Sequence, residues 1–155
     1  MSDIGLTHIA LPVSDVERSI KFYSTYARME VLHSRIDAET GVAVVWICDR
    51  PWRKPYPAYR EAQRSYRTRP FVIVLIQTDS VHPILSPFAH LGVGCKSRED
   101  MDALCERARQ EGVLLGEQED SGYPVGYWAF LRDPDGHTLE LSYGQEIGLT
   151  VEKTF

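Results

Sequence analysis

Two histidines and one glutamate set the chemical question in this sequence. His8 stands in T-H-I-A-L-P-V, His90 in A-H-L-G-V-G and Glu140 in T-L-E-L-S. Each histidine follows a small residue and opens an alternating apolar run, the period-two pattern of a half-buried strand. Glu140 alternates with Leu139 and Leu141, so on a strand it leaves the sheet on the face opposite the leucines. Two neutral imidazoles and a carboxylate, with coordination positions left for water or substrate, suit one divalent ion: Fe2+, Mn2+, Zn2+, Ni2+ or Co2+. The bland alternatives are a hydrogen-bonded structural histidine and a glutamate on the wet face of a sheet. Residue type and spacing leave both alternatives open.

What sets the two histidines apart is that the stretches around them repeat. T-H-I-A-L-P-V-S-D-V-E-R-S-I from Thr7 matches A-H-L-G-V-G-C-K-S-R-E-D-M-D from Ala89 in type: small residue, His, alternating apolar positions, then Ser. Ser14 precedes Glu17 by three, a capping-box spacing that predicts a helix over Asp15–Tyr26 with Val16, Ile20 and Tyr23 on one side. Ser97 and Asp100 give a weaker version before a second helix bearing Met101, Leu104, Cys105 and Ala108, closed by Gly112. Strand-like runs follow each helix: Met29–Ile36, Val42–Cys48 and Phe71–Gln77, then Val113–Glu117, Gly126–Arg132 and Thr138–Tyr143. Asp133-Pro134-Asp135-Gly136 marks the hairpin turn between the last two. Both halves read β-α-β-β-β, and one such unit of roughly 65–75 residues buries too little surface to stand alone comfortably. The expected class is α+β: two tandem βαβββ modules whose curved mixed sheets face each other around a cleft, an arrangement that several folds satisfy and that the resemblance described below makes a metal-binding one. They make one domain over 1–155, the first module at about 5–80 and the second at about 85–145.

Composition narrows the class. Hydrophobic residues make up 43% and charged residues 25% of the 155, a globular balance. A net charge of -5 argues against nucleic acid as a partner. The N-terminal stretch is not a secretory signal, and no run approaches the roughly 18 apolar residues of a membrane helix. Cys48, Cys95 and Cys105 form no C-x-x-C pair and read as reduced thiols, two of them packed, in a cytoplasmic protein.

Residues 49–69 differ from their surroundings, with seven Lys and Arg against two acids and Trp52, Tyr56, Tyr59 and Tyr66 among prolines. This insertion into the first module is a lid, a dimer arm or a plain loop. As a lid, Arg60 and Arg64 would hold a carboxylate or phosphate on the substrate. Among the aromatic residues of G-Y-P-V-G-Y-W-A-F-L-R, Tyr127 is a candidate proton donor and Trp128 a candidate substrate contact.

The segment R-D-P-D-G-H-T-L-E-L, residues 132–141, resembles the closing motif of the vicinal oxygen chelate superfamily. That superfamily holds glyoxalases, extradiol dioxygenases, fosfomycin-resistance proteins, methylmalonyl-CoA epimerases and bleomycin-binding proteins. Residues 7–23 are similar to its first strand and helix, and F-A-H-L-G-V at 88–93 to the opening of its second repeat. The resemblance implies that His8, His90 and Glu140 are metal ligands and that the working form is a homodimer on a small-molecule substrate. The family's remaining ligand position falls at Val74, and residues 72–76 carry no ligand atom; Gln77 lies on the other strand face. Glyoxalases resemble one another in a Glu at that position, so the resemblance counts against glyoxalase activity. A three-ligand site implies first an extradiol-type, dioxygenase-like oxidoreductase, although the family's additional His and its Tyr before the D-P-x-G turn are missing, with Phe130 near the Tyr position. The alternatives are a lyase, epimerase or thiol-transferase-type enzyme, or a non-catalytic small-molecule-binding protein. His137 lies on the opposite face from Glu140 and is not expected to be a ligand.

Overall fold

A computed structural model of the chain describes residues 8–49, 71–86 and 88–145. They divide into two units after Pro83. The first contains β1 (His8–Val13), α1 (Val16–Tyr26), β2 (Met29–Ile36), β3 (Ala43–Asp49) and β4 (Val72–Gln77). The second contains β5 (His90–Gly94), α2 (Arg98–Gln110), β6 (Glu119–Asp120), β7 (Tyr127–Arg132) and β8 (Thr138–Tyr143). The class is α+β, with one four-stranded mixed sheet in each unit. The sheets share one topology, β1-β4-β3-β2 and β5-β8-β7-β6, and in each the outer pair, β1 with β4 or β5 with β8, is parallel.

Local chemistry accounts for the helices. Val16, Ser19, Phe22, Tyr23 and Tyr26 recur at helical spacing and form the buried side of α1. Its cap differs from expectation: Asp15, not Ser14, is the N-cap, and its Oδ1 accepts from the N–H groups of Glu17 and Arg18. A carboxylate there also sits favourably at the positive end of the helix dipole. Ser97 caps α2 as expected, accepting from Asp100 N–H at 3.1 Å, and Gly112 follows the helix with φ +70.

The strands alternate as their sequences do. In the first unit Leu11, Val13, Val45, Ile47, Ile73 and Leu75 are almost fully buried on one face of the sheet. In the second unit Ala129, Leu131, Leu139 and Leu141 occupy the corresponding face, where α2 packs with Met101, Cys105 and Ala108. Burial of each of these larger apolar side chains contributes about 1.5–3 kcal/mol. One predicted strand fails. Val113–Glu117 yields only an isolated bridge, Leu114 to Leu131, and the short edge strand forms later, at Glu119–Asp120. Leu115 N–H donates to the Phe130 carbonyl and Arg132 N–H to the Val113 carbonyl, which ties the segment to β7 at that single bridge, while Leu114 N–H turns back to the Ala108 carbonyl at the end of α2.

Cys48 and Cys105 are buried and Cys95 half-buried, and none of the three forms a disulfide. Among the described residues no helix is long and apolar enough to cross a membrane.

Candidate metal centre

The site of the second unit is built on three adjacent strands whose register forms a grid. On the face away from α2, His90, Thr138 and Arg132 make one row, Gly92, Glu140 and Phe130 the next, and Gly94, Ser142 and Trp128 the third. Glu140 stands at the centre, only 7% exposed. His90 Nε2 lies 3.5 Å from its Oε2, and the half-buried Phe130 ring packs against the imidazole at a centroid distance of 5.3 Å. The His90–Glu140 spacing falls within the roughly 3–4 Å expected of two ligands that share an ion.

The neighbouring turn makes this arrangement possible. Asp133 is buried, and its Oδ1 accepts from the N–H groups of Asp135 and His137, while Gly136 takes φ +98. That fixes where β8 begins, and with it which residues share a face with Glu140. His137 is fully buried with Nδ1 accepting from Leu85 N–H at 3.0 Å, a structural role.

His8 stands in the first unit at the position that His90 holds in the second. It pairs with Val72 at the start of its parallel ladder, as His90 pairs with Thr138. Two residues further along each partner strand lie Val74 and Glu140, so Val74 is the register equivalent of Glu140. Gln77 faces the other way, and its Oε1 accepts from Val16 N–H at the start of α1. At the register position of Glu140 the first unit therefore carries a valine. Among the described residues no group of three or more His, Cys, Asp and Glu side chains is gathered. Of the expected trio, the structure brings together His90 and Glu140.

The other expected residues fare differently. Trp128 shares the Glu140 face, its ring 5.0 Å from Phe130 and its Nε1 donating to Ser121 Oγ at 3.0 Å. Tyr127 does not: the period of two turns it to the face of Ala129 and Leu131. There its hydroxyl donates to Asp102 Oδ1 at 2.5 Å, and the Arg98 guanidinium lies 3.8 Å over its ring. Partial burial, then the bond to Asp102, hold the phenol above its ordinary range. Arg98 also bridges to Asp120 at 2.8 Å, so this cluster ties α2 to β6 and β7. Arg60 and Arg64 lie outside the described residues. Sequence reasoning missed Gly92 and Gly94, although the alternation in H-L-G-V-G already places both beside His90 on one face.

A divalent ion suits the donors at hand. A carboxylate this deeply buried gains from a cation beside it, and the imidazole nitrogen 3.5 Å away supplies a second donor atom.

One sheet topology occurs twice, and in the second unit it carries a buried carboxylate beside an imidazole. The chain belongs to the Glyoxalase/Bleomycin resistance protein/Dioxygenase superfamily, whose family model matches residues 5–141. An uncharacterised protein of Pseudomonas aeruginosa is 35% identical over 144 residues, covering 92% of this chain and 91% of that one. Glutathione transferase FosA of Serratia marcescens is 29% identical over 142 residues, covering 90% and 81%. Glyoxalase I of Leishmania major shares the fold with a TM-score of 0.63 at 24% identity, covering 98% and 95%. A mutant of the fosfomycin resistance protein FosX of Listeria monocytogenes, complexed with Mn(II) and a dihydroxypropylphosphonic acid, does so with 0.63 at 19%, covering 97% and 99%.

Proposed function

We propose that this protein is a metal-dependent enzyme that engages two neighbouring oxygens of a small substrate, with His8, His90 and Glu140 as ligands. The observation that carries the reading is the buried Glu140 carboxylate 3.5 Å from His90, with His8 at the matching register of the other repeat. When bound, the ion would act as a Lewis acid that stabilises negative charge developing on a substrate oxygen. The protein's own residues do the rest. Leu139 and Leu141 anchor β8 in the core, so Glu140 is held rigidly on a strand rather than on a loop. Phe130 limits how far the His90 ring can turn. The basic segment at 49–69, through Arg60 and Arg64, neutralises an anionic group on the substrate.

For the reaction, group transfer or lyase chemistry is favoured over ring-cleaving oxygenation. The similarity to a glutathione transferase supports this, as does Phe130 beside Glu140 where family dioxygenases carry a tyrosine. Tyr127 faces α2 and leaves the Glu140 face without a phenolic proton donor from β7. The reading places the protein in a reducing compartment, where three thiols persist without forming a disulfide, and takes the working form as a homodimer.

Elemental analysis of protein purified without chelator, followed by calorimetric titration with Mn2+, Ni2+ and Zn2+, tests the centre. One ion per chain, lost in His8→Ala and in Glu140→Ala, is the expected result. Metal content unchanged by both substitutions refutes it. An assay with glutathione and small epoxides, with a catechol series beside it, separates transfer from oxygenation.

A further inference from the structure

The grid around Glu140 has an asymmetry that metal binding alone does not require. Beyond His90 the first row ends in a cation, Arg132. Beyond Glu140 the third row, Gly94–Ser142–Trp128, is uncharged. Trp128 and Phe130 are half-buried, their rings 5.0 Å apart, and the indole is oriented by the hydrogen bond from Nε1 to Ser121 Oγ. On the opposite side of Glu140, a Cβ built on Gly92 or Gly94 meets nothing within 4 Å among the described residues. Neither glycine has a positive φ, so the backbone does not demand them. Glycine inside a strand weakens it, and its recurrence at alternate positions marks a place of close approach.

The geometry points to a subsite in which the third row and Phe130 receive a flat, uncharged group carried next to the substrate's metal-binding oxygens. In it, Trp128 is the specificity-determining residue. The inference rests on the metal reading given above. The indole and phenyl rings offer π-faces to a planar group, while Gly92 and Gly94 leave clearance for its far edge. Ser121 is a positioning residue that acts through the indole. The glycines act by what they omit, and a side chain at 94 would fill the space with little strain, since valine suits a strand.

Two probes separate the subsite from the ion. 4-Nitrocatechol and acetohydroxamate both present two neighbouring oxygens, but only the first carries a ring. With the full chain loaded with Mn2+, Trp128→Ala and Gly94→Val should each weaken 4-nitrocatechol about tenfold, the scale of one aromatic contact. Trp128→Phe should retain most of the affinity, and acetohydroxamate should change less than about twofold throughout. An equal loss of both probes, or unchanged 4-nitrocatechol affinity in both variants, overturns the subsite. Gly94→Val fills open space, so it serves as the folded control should Trp128→Ala unfold. If Mn2+ fails to bind the wild-type protein, the metal reading falls on its own, and metal-free protein decides the subsite. Trp128-dependent binding of 4-nitrocatechol there upholds it, and the absence of such binding overturns it.

Discussion

Glu140→Gln tests the buried carboxylate most directly, because it removes the charge while keeping the shape. Glu140 is 7% exposed and faces an imidazole nitrogen 3.5 Å away. Burying a carboxylate this deeply carries a desolvation cost, so an amide of equal size relieves the fold rather than damaging it. The metal-free melting temperature should stay put or rise with a gain of up to about 1 kcal/mol, roughly 2–4 °C for a domain this large. With metal the sign reverses. An ion present at 100 times its dissociation constant stabilises the wild type by about 2.7 kcal/mol, or roughly 5–11 °C. The variant, lacking the only anionic ligand of the proposed trio, should lose most of that increment. Calorimetric melting of both proteins, with and without Mn2+, gives all four numbers. A variant that melts several degrees lower without metal, yet keeps the metal-dependent rise, would refute the argument and make Glu140 a structural residue.

Gly126→Ala should destabilise by about 2–4 kcal/mol in urea unfolding, because Gly126 has φ +79 and a Cβ there lies 2.5 Å from the Tyr143 carbonyl oxygen. Gly92→Ala should stay within about 0.5 kcal/mol of wild type, having neither handicap. Burial pushes the Cys105 thiol up to about 11, so at pH 8 a chromogenic disulfide reagent should label the half-buried Cys95 first. Cys48 and Cys105 should follow only on unfolding; fast labelling of all three would contradict the packing. Glyoxalase turnover on a glutathione hemithioacetal with Zn2+ or Ni2+ should be far below ordinary rates of about 10 s⁻¹, because Val74 supplies neither ligand nor base.

The repeat was legible because each module announces itself with the same succession of small residue, histidine and alternating apolar positions. Helix α2 was legible to its cap because Ser97 and Gly112 have single-purpose chemistry. Asp15 was missed as the cap of α1 because Ser14 and Asp15 are both competent, and only backbone conformation decides between neighbours. Val113–Glu117 was misassigned as a strand because short apolar runs carry no period of their own. Tyr127 was the instructive miss. Its residue type suits proton transfer, but its register, one position from Trp128, sends it to α2, and side-chain identity says nothing about face. Phe130 resembled a defect when measured against family dioxygenases, and the structure shows its ring packed 5.3 Å from that of His90.

The shared strand order of the two sheets means that the chain holds one address twice. At that address the second unit keeps a carboxylate, Glu140, and the first unit keeps Val74, half-buried beside Trp46. In the first unit that address serves ordinary sheet packing, while a histidine keeps the matching place on the neighbouring strand. Reaction classes built on such a repeat need not be separated by long stretches of sequence. A single residue at the spare address decides whether a second carboxylate is available to move a proton, and an ancestor or a laboratory variant carrying Glu there would differ from this protein in chemistry while remaining indistinguishable in fold.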